Sequence, residues 1–359
     1  MRFAVRSLLV VLTVSSAAAV VAQDRPAAPA AGVPAAGQMP SGGTAVPGTA
    51  RQGVPVPPQA PPPSPASIER ANQILAAART ALGGPKLAAI KTLVANGRTK
   101  RVRGNNLVPI EFEINIELPD KYLRKDESPA EETDPTSSGF NSTMLIQLPV
   151  PPTPQARAGG PPAPTQAQLD AQKSARVTTL KQDFVRFALG MFVDSFETYP
   201  LTFAYAAQAE APQGKADVLD VRGAGNFLLK FYIYQGTHLP IMVSWTLPPT
   251  NVIVTVPGQP APASVAPGAV VVNGPAAPAA NAAQADKDAY AKEVLALRQK
   301  AQATPVEHRI YYADYRDVDG VQLPFRLRRA IGTDTTEETT FDRFRINTKI
   351  DPKKFESAK

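Results

Sequence analysis

Ile110-Glu111-Phe112-Glu113-Ile114-Asn115-Ile116-Glu117-Leu118 alternates apolar and polar residues without a break. Successive side chains of a β-strand point to opposite faces, so this run writes a strand with one apolar face and one wet face. The same period recurs at Leu239, Ile241, Val243, Trp245 and Leu247. It recurs again at Val321, Leu323, Phe325 and Leu327, set against Gln322, Arg326 and Arg328. Repeated along a chain, the pattern predicts one large antiparallel sheet whose apolar face must be covered. The fold class is therefore α+β, a single antiparallel sheet of about ten or eleven strands with helices over one face.

Around these strands the chain reads as follows. Ser64 and Pro65 open a helix that presents Ile68, Ala71, Leu75, Ala78 and Leu82 on one face and stops at Gly83-Gly84-Pro85. Strands are expected at 92–103, 108–118, 121–126 and 140–148. A second helix is expected at 165–195, with Leu180, Phe184, Phe187 and Met191 as its stripe. Further strands are expected at 201–209, 216–222, 227–234 and 239–247, a short polar helix at 286–300, and three last strands at 306–315, 321–330 and 335–346.

The 38 prolines cluster. Residues 23–65 form a Pro/Ala/Gly tract too poor in large apolar residues to fold, and are expected to be a disordered spacer. Two further Pro-rich inserts, at 149–164 and 248–285, are expected to be long unstructured loops within a domain of residues 66–355. Residues 1–22 read as a secretion signal: Arg2 and Arg6, the apolar run 8–14, and Val20-Val21-Ala22 before Gln23. The chain holds no cysteine, which removes disulfides, thiol chemistry, cysteine metal sites and a lipid-bearing cysteine anchor together. The expected address is the periplasm, as an exported soluble protein.

Loss of Arg2 and Arg6 with the signal takes the formal charge from +7 to +5. Arg98, Lys100, Arg101 and Arg103, and Arg326, Arg328 and Arg329, carry much of that excess and read as solvated strand faces. No aromatic or motif support for nucleic-acid binding accompanies them; attraction to an anionic membrane surface is the better use of the charge.

Candidate chemistry is sparse. His238 and His308 have no carboxylate cluster at ligand spacing, so no metal site is assigned. Asp317-Val318-Asp319-Gly320 reads as a hairpin turn and not a calcium loop. Asp194-Ser195 lies in no nucleophile motif, no phosphate loop is present, and no catalytic residue or cofactor is assigned.

Ala81-Leu82-Gly83-Gly84 followed by Leu87, Ile90, Leu93 and Gly97 resembles the opening of bacterial proteins of the LolA/LolB-like superfamily, the periplasmic carriers of outer-membrane lipoproteins. The closing part is also similar: Asp319-Gly320-Val321-Gln322-Leu323-Pro324, then Phe344, Ile346, Asn347, Ile350, Asp351 and Phe355. The resemblance spans about residues 67–355 outside the inserts. It implies a strongly curved, incomplete β-barrel with helices across its mouth and an apolar cavity for acyl chains between them. Relatives carry lipoproteins, bind other lipids or sense envelope stress. The missing cysteine argues against the membrane-attached acceptor type, and the compact carriers lack the Pro-rich inserts.

The expected function is a non-enzymatic periplasmic carrier or binding protein for a lipid or lipidated protein. It would bury acyl chains between the sheet and the helices, with Ile114, Ile116, Phe231, Ile233, Val243, Trp245, Phe325 and Leu327 as ligand-binding candidates. The alternative is an envelope sensor or scaffold with a packed core, whose Pro-rich segments dock other envelope proteins. An internal apolar cavity separates the two readings.

Overall fold

The first helix begins where Ser64 caps it: the hydroxyl accepts a hydrogen bond from the Ser67 N–H at 3.2 Å, and Pro65 occupies the first turn. In the computed structural model this helix, α1, spans Pro65–Leu82 and buries Ala71, Ile74, Leu75, Ala78 and Leu82. It ends at Gly83 (φ +136°), where an added Cβ would lie 2.8 Å from the carbonyl of Gly320. Only glycine permits that approach of helix end to hairpin turn.

The structure describes residues 62–103, 106–129, 133–152, 163–211, 214–257 and 265–356. The secretion signal expected at 1–22, most of the spacer expected at 23–65 and residues 153–162 of the first insert lie outside them. After α1 come α2 (Pro85–Ala88), β1 (Thr92–Arg103), β2 (Asn106–Glu117), β3 (Lys121–Glu127), β4 (Thr136–Asn141) and β5 (Met144–Leu148). The long helix α3 (Gln166–Phe192) leads to β6 (Thr202–Ala211), β7 (Gly214–Gly223), β8 (Phe227–Tyr234) and β9 (Pro240–Leu247). Then follow β10 (Asn251–Thr255), β11 (Ala269–Asn273), α4 (Gln284–Gln302), β12 (Val306–Val318), β13 (Val321–Ile331), β14 (Asp334–Ile346) and a 3-10 turn at Pro352–Phe355.

Twelve strands form one open antiparallel sheet in the order β5-β4-β3-β2-β1-β14-β13-β12-β9-β8-β7-β6. Every chain-adjacent pair in it but one, β5 and β6, is also a sheet neighbour. β1 and β14 meet in the middle, and β5 and β6 are the two free edges. The connection from β5 to β6 therefore has to traverse the sheet. α3 does so on the inner face, and its 27 residues give about 40 Å of reach. A capping box, Thr165 with Gln168, fixes its start.

Strict alternation sets most of the inner face, and local breaks in it set the rest. Between Asn96 and Gly97 the β1–β14 register slips, leaving Asp342 as an extra residue on β14. Phe341 and Phe344, three apart, consequently both join the core. In β12 Asp314 adopts φ +58°, and Tyr312 and Tyr315, again three apart, both reach α3. The Tyr315 hydroxyl donates to the Gly190 carbonyl at 2.8 Å, and the Tyr312 hydroxyl donates to the Arg186 carbonyl.

Three expectations need correction. The single strand expected at 140–148 is the hairpin β4–β5, turned at Ser142 (φ +53°), a polar turn without glycine or proline. The second insert, expected to be unstructured over 248–285, contains β10 and β11, which pair in parallel apart from the main sheet. The β-branched runs Val252-Ile253-Val254 and Val270-Val271-Val272 supply the strand preference that the surrounding prolines mask. The outer face is not uniformly wet either. Val94, Leu123, Ile146, Ile350 and Phe355 form a second buried cluster there, and Asn115 beneath it is 1% exposed.

Gly190 marks the closest approach of α3 to the sheet, since a Cβ there would lie 2.3 Å from the Tyr312 ring. Helix propensity alone would favour alanine by about 1 kcal/mol. Overpacking against a fixed, buried ring costs about 1–3 kcal/mol and should win. Gly190→Ala is expected to lower the urea midpoint of unfolding; a raised midpoint would show that α3 is free to lift off Tyr312.

Candidate binding site on the inner face

The eight candidate residues come from four strands and share one face. Ile114 and Ile116 stand on β2, Phe231 and Ile233 on β8, Val243 and Trp245 on β9, Phe325 and Leu327 on β13. All are buried in one contiguous apolar cluster, from fully buried Ile116, Phe231 and Val243 to Trp245 at 9% exposure. Register explains their assembly: Phe231 faces Val243, which faces Ile310, and Ile114 faces Ala95, which faces Phe344. α1 and α3 cover the cluster, and Phe184 and Phe187 of α3 meet Tyr122, Phe140 and Phe341 ring to ring.

Followed toward the ends of β1, β14 and β13, this face changes character. Thr99, Thr339 and Leu327 lie side by side, and two residues on Arg101, Glu337 and Arg329 do the same. Arg101 Nε donates to Glu337 Oε2 at 2.9 Å, and the Thr339 hydroxyl donates to Glu337 Oε1 at 3.2 Å. Arg124 of β3 pairs with Asp126 at 2.6 Å, lies 3.8 Å from Glu337, and sets its guanidinium over the Phe112 ring at 4.8 Å. Burial would raise the Glu337 pKa; Arg329, Arg124 and Arg101 outweigh it and hold the carboxyl at about 2.

Arg186 of α3 extends the row. It is 7% exposed, pairs with Asp183 at 2.8 Å, and places its guanidinium 4.5 Å from the Trp245 ring and 5.0 Å from Phe227. His308 stacks on Trp245 at 5.4 Å. Burial first, then Arg186, pushes the His308 pKa down, so this imidazole is neutral at pH 7. Among the described residues Arg124 Nη2, Arg186 Nε and Trp245 Nε1 are buried without a hydrogen-bond acceptor, as is Arg345 Nε on the outer face.

The basic residues Arg101 and Arg329, read as solvated from the sequence, belong instead to this inner row. The signal was present: Arg101 is in phase with Leu93, Ala95, Gly97 and Thr99, and Arg329 with Phe325 and Leu327. Arg186 carried no such signal, because a lone arginine on a helix does not reveal its partners.

Cavities also lie elsewhere. One of about 630 Å³ is lined by Tyr232, Tyr234, Met242, Tyr311, Arg326 and Arg328 among others; of the eight candidates only Leu327 reaches it. A second, of about 220 Å³, lies between Arg79, Leu87, Ile90, Pro119 and Phe196. There Asp194 pairs with Arg79 at 2.8 Å and Ser195 Oγ accepts from the Leu201 N–H at 2.8 Å, so both serve the backbone turn after α3. Asp319 and Gly320 both have positive φ and join β12 to β13 as a two-residue hairpin turn, with Gly320 N–H donating to Asp317. Among the described residues no group of three or more His, Asp or Glu side chains is placed to hold a metal ion, and no helix is long and apolar enough to cross a membrane.

No family model matches the chain, and no curated protein does. Among solved structures the chain is similar to a DUF1329 family protein from Desulfovibrio piger, at 8% identity and TM-score 0.39. It is similar to a domain named for outer membrane lipoprotein sorting from Vibrio parahaemolyticus, at 9% and 0.40, and to a LolA superfamily protein from Nitrosomonas europaea, at 10% and 0.40. Each match covers 80% of this chain and 97% of the other.

A carboxyl held at about 2 against an ordinary 4.5 contributes about 3 kcal/mol of stability above pH 4.5, lost as pH falls toward 2. Glu337→Gln should cost about that much at pH 7, and its deficit against the parent should close between pH 4.5 and 2 in urea unfolding. A deficit constant with pH would show that Glu337 is not ionised in the folded chain.

Proposed function

We propose that this chain is a non-enzymatic carrier or binding protein for a lipid or lipidated protein, taking acyl chains between the sheet and its two covering helices. The observation that carries the reading is the broad apolar inner face of a twelve-stranded open sheet, covered mainly by α1 and α3. Neither helix is a strand neighbour, so either can move away without breaking the ladder. An acyl chain exposed to water costs about 0.8 kcal/mol per CH₂, which is what such a face can recover. Ile114, Ile116, Phe231, Ile233, Val243, Trp245, Phe325 and Leu327 are the proposed lining once the helices part. Export to the periplasm by the signal at 1–22, with residues 23–65 as a spacer, completes the proposal. Its partners are lipid or lipidated protein, with envelope proteins or an anionic membrane surface as the place of delivery.

One observation favours the second reading, an envelope sensor or scaffold: the eight side chains are packed against neighbours, at 0–9% exposure. Lipid extraction and native mass spectrometry on mature protein from a periplasmic fraction decide between them. The carrier reading expects a co-purifying lipid that is lost in Trp245→Arg and Ile116→Asp while circular dichroism stays unchanged. Protein that remains empty and takes up no fluorescent fatty acyl probe would move the assignment to the sensor or scaffold.

A further inference from the structure

We infer that the arginine row at the end of the inner face is an oxyanion site, which takes the phosphate or carboxylate head of an acyl amphipath whose chain lies along the adjoining apolar face. The inference rests on the acyl-binding reading for the tail and on independent observations for the head.

The first is placement. Along β13 and β14 the inner face passes from Phe325 and Phe341 through Leu327 and Thr339 to Arg329 and Glu337, two residues at a step. Two residues of strand span about 7 Å, so a guanidinium stands one head-group length from the apolar cluster. The second is charge. Arg101, Arg124, Arg186 and Arg329 face Asp126, Asp183 and Glu337, leaving one cation in excess beside a buried apolar surface.

The third is the kind of group left over. Of the four buried donors without a partner among the described residues, three, Arg124 Nη2, Arg186 Nε and Trp245 Nε1, belong to this face; the fourth, Arg345 Nε, lies on the other. A site short only of acceptors fits an oxyanion, which offers several lone pairs and no proton to donate. The guanidinium planes are already set: Arg124 lies over Phe112, and Arg186 lies near Trp245 and Phe227. Access comes from Arg101 and Arg329, whose side chains remain about one-third exposed (33% and 30%). An anion approaching from solvent meets these two first.

The chain has one tryptophan, Trp245, in contact with Arg186, so its fluorescence reports on the site. Four probes separate the cases, each used below its micelle concentration: dodecyl phosphate, dodecyl maltoside, dodecyltrimethylammonium and inorganic phosphate. Dodecyl phosphate should bind at least ten-fold more tightly than the other two amphiphiles, with inorganic phosphate far weaker. Arg329→Gln should remove most of that preference and leave dodecyl maltoside binding unchanged. Arg328→Gln, one residue along and exposed on the opposite face, should change neither.

Equal binding of all three amphiphiles would overturn the head-group site while leaving the acyl reading intact. Inorganic phosphate as tight as dodecyl phosphate would make this a free-anion site and overturn the lipid head. No binding of any amphiphile would remove the acyl reading itself. A preference for dodecyl phosphate that survives both Arg329→Gln and Arg101→Gln would place the anion elsewhere and leave the buried donors to structural water.

Discussion

An open sheet that is apolar on one face is stable only while something covers it, and here two helices must cover twelve strands. The cover depends on a few points of contact more than on area. α3 crosses from the β5 edge to the β6 edge and is pinned where Gly190 lets the helix sit on the Tyr312 ring. There two tyrosine hydroxyls bond to its backbone carbonyls. The Arg186 carbonyl is in mid-helix and has a second lone pair free, and the Gly190 carbonyl is one of the last four of α3 and has no donor within the helix, so these bonds tie the helix to the sheet without disturbing it. The same contact requires Tyr312 and Tyr315 on one face, which alternation alone forbids. The left-handed residue Asp314 and the extra residue Asp342 are thus parts of the cover as much as the helix is.

Buried charge is the second constraint. Taking Arg124 and Arg186 largely out of water, and Arg101 and Arg329 partly so, is expensive, and three carboxylates return only part of that cost. Aromatic faces beneath Arg124 and Arg186 supply a further share, since the planar guanidinium is less strongly hydrated than an ammonium and stacks well. What remains unmet is acceptor capacity. A core that needed only stability would be better served by apolar side chains in these positions, so the row is more economically understood as a feature of binding than of packing.

Much of the sheet was legible because period two is a strong signal over eight or more residues. The strands 92–103 and 227–234 stand where alternation puts them, and Leu180, Phe184, Phe187 and Met191 form the buried stripe of α3 as their spacing requires. Short elements were harder. The β4–β5 turn uses Asn141, Ser142 and Thr143, none of which punctuates a sequence as strongly as glycine or proline, and β10 and β11 are five residues each inside Pro-rich sequence. The eight apolar candidates were found together because burial follows alternation. The arginine row is not legible from charge alone for a physical reason: phase along the strand decides the face, and the charge merely occupies it.

The meeting of β1 and β14 at the centre of the sheet has a consequence for how the molecule is assembled. Strands β1 to β5 form one ladder, and β6 to β9 with β12 and β13 form another, β9 and β12 being joined through the segment that holds β10, β11 and α4. Until β14 is laid between β1 and β13 the two ladders share no strand pairing, and only α3 and the packing of α1 on β6 and β13 join them. The last strand therefore acts as a keystone. It closes the longest loop in the fold, 236 residues along the chain from Arg101 to Glu337. The same step brings Glu337 between Arg101 and Arg329. Continuity of the sheet and neutralisation of its inner-face cations thus depend on one and the same strand.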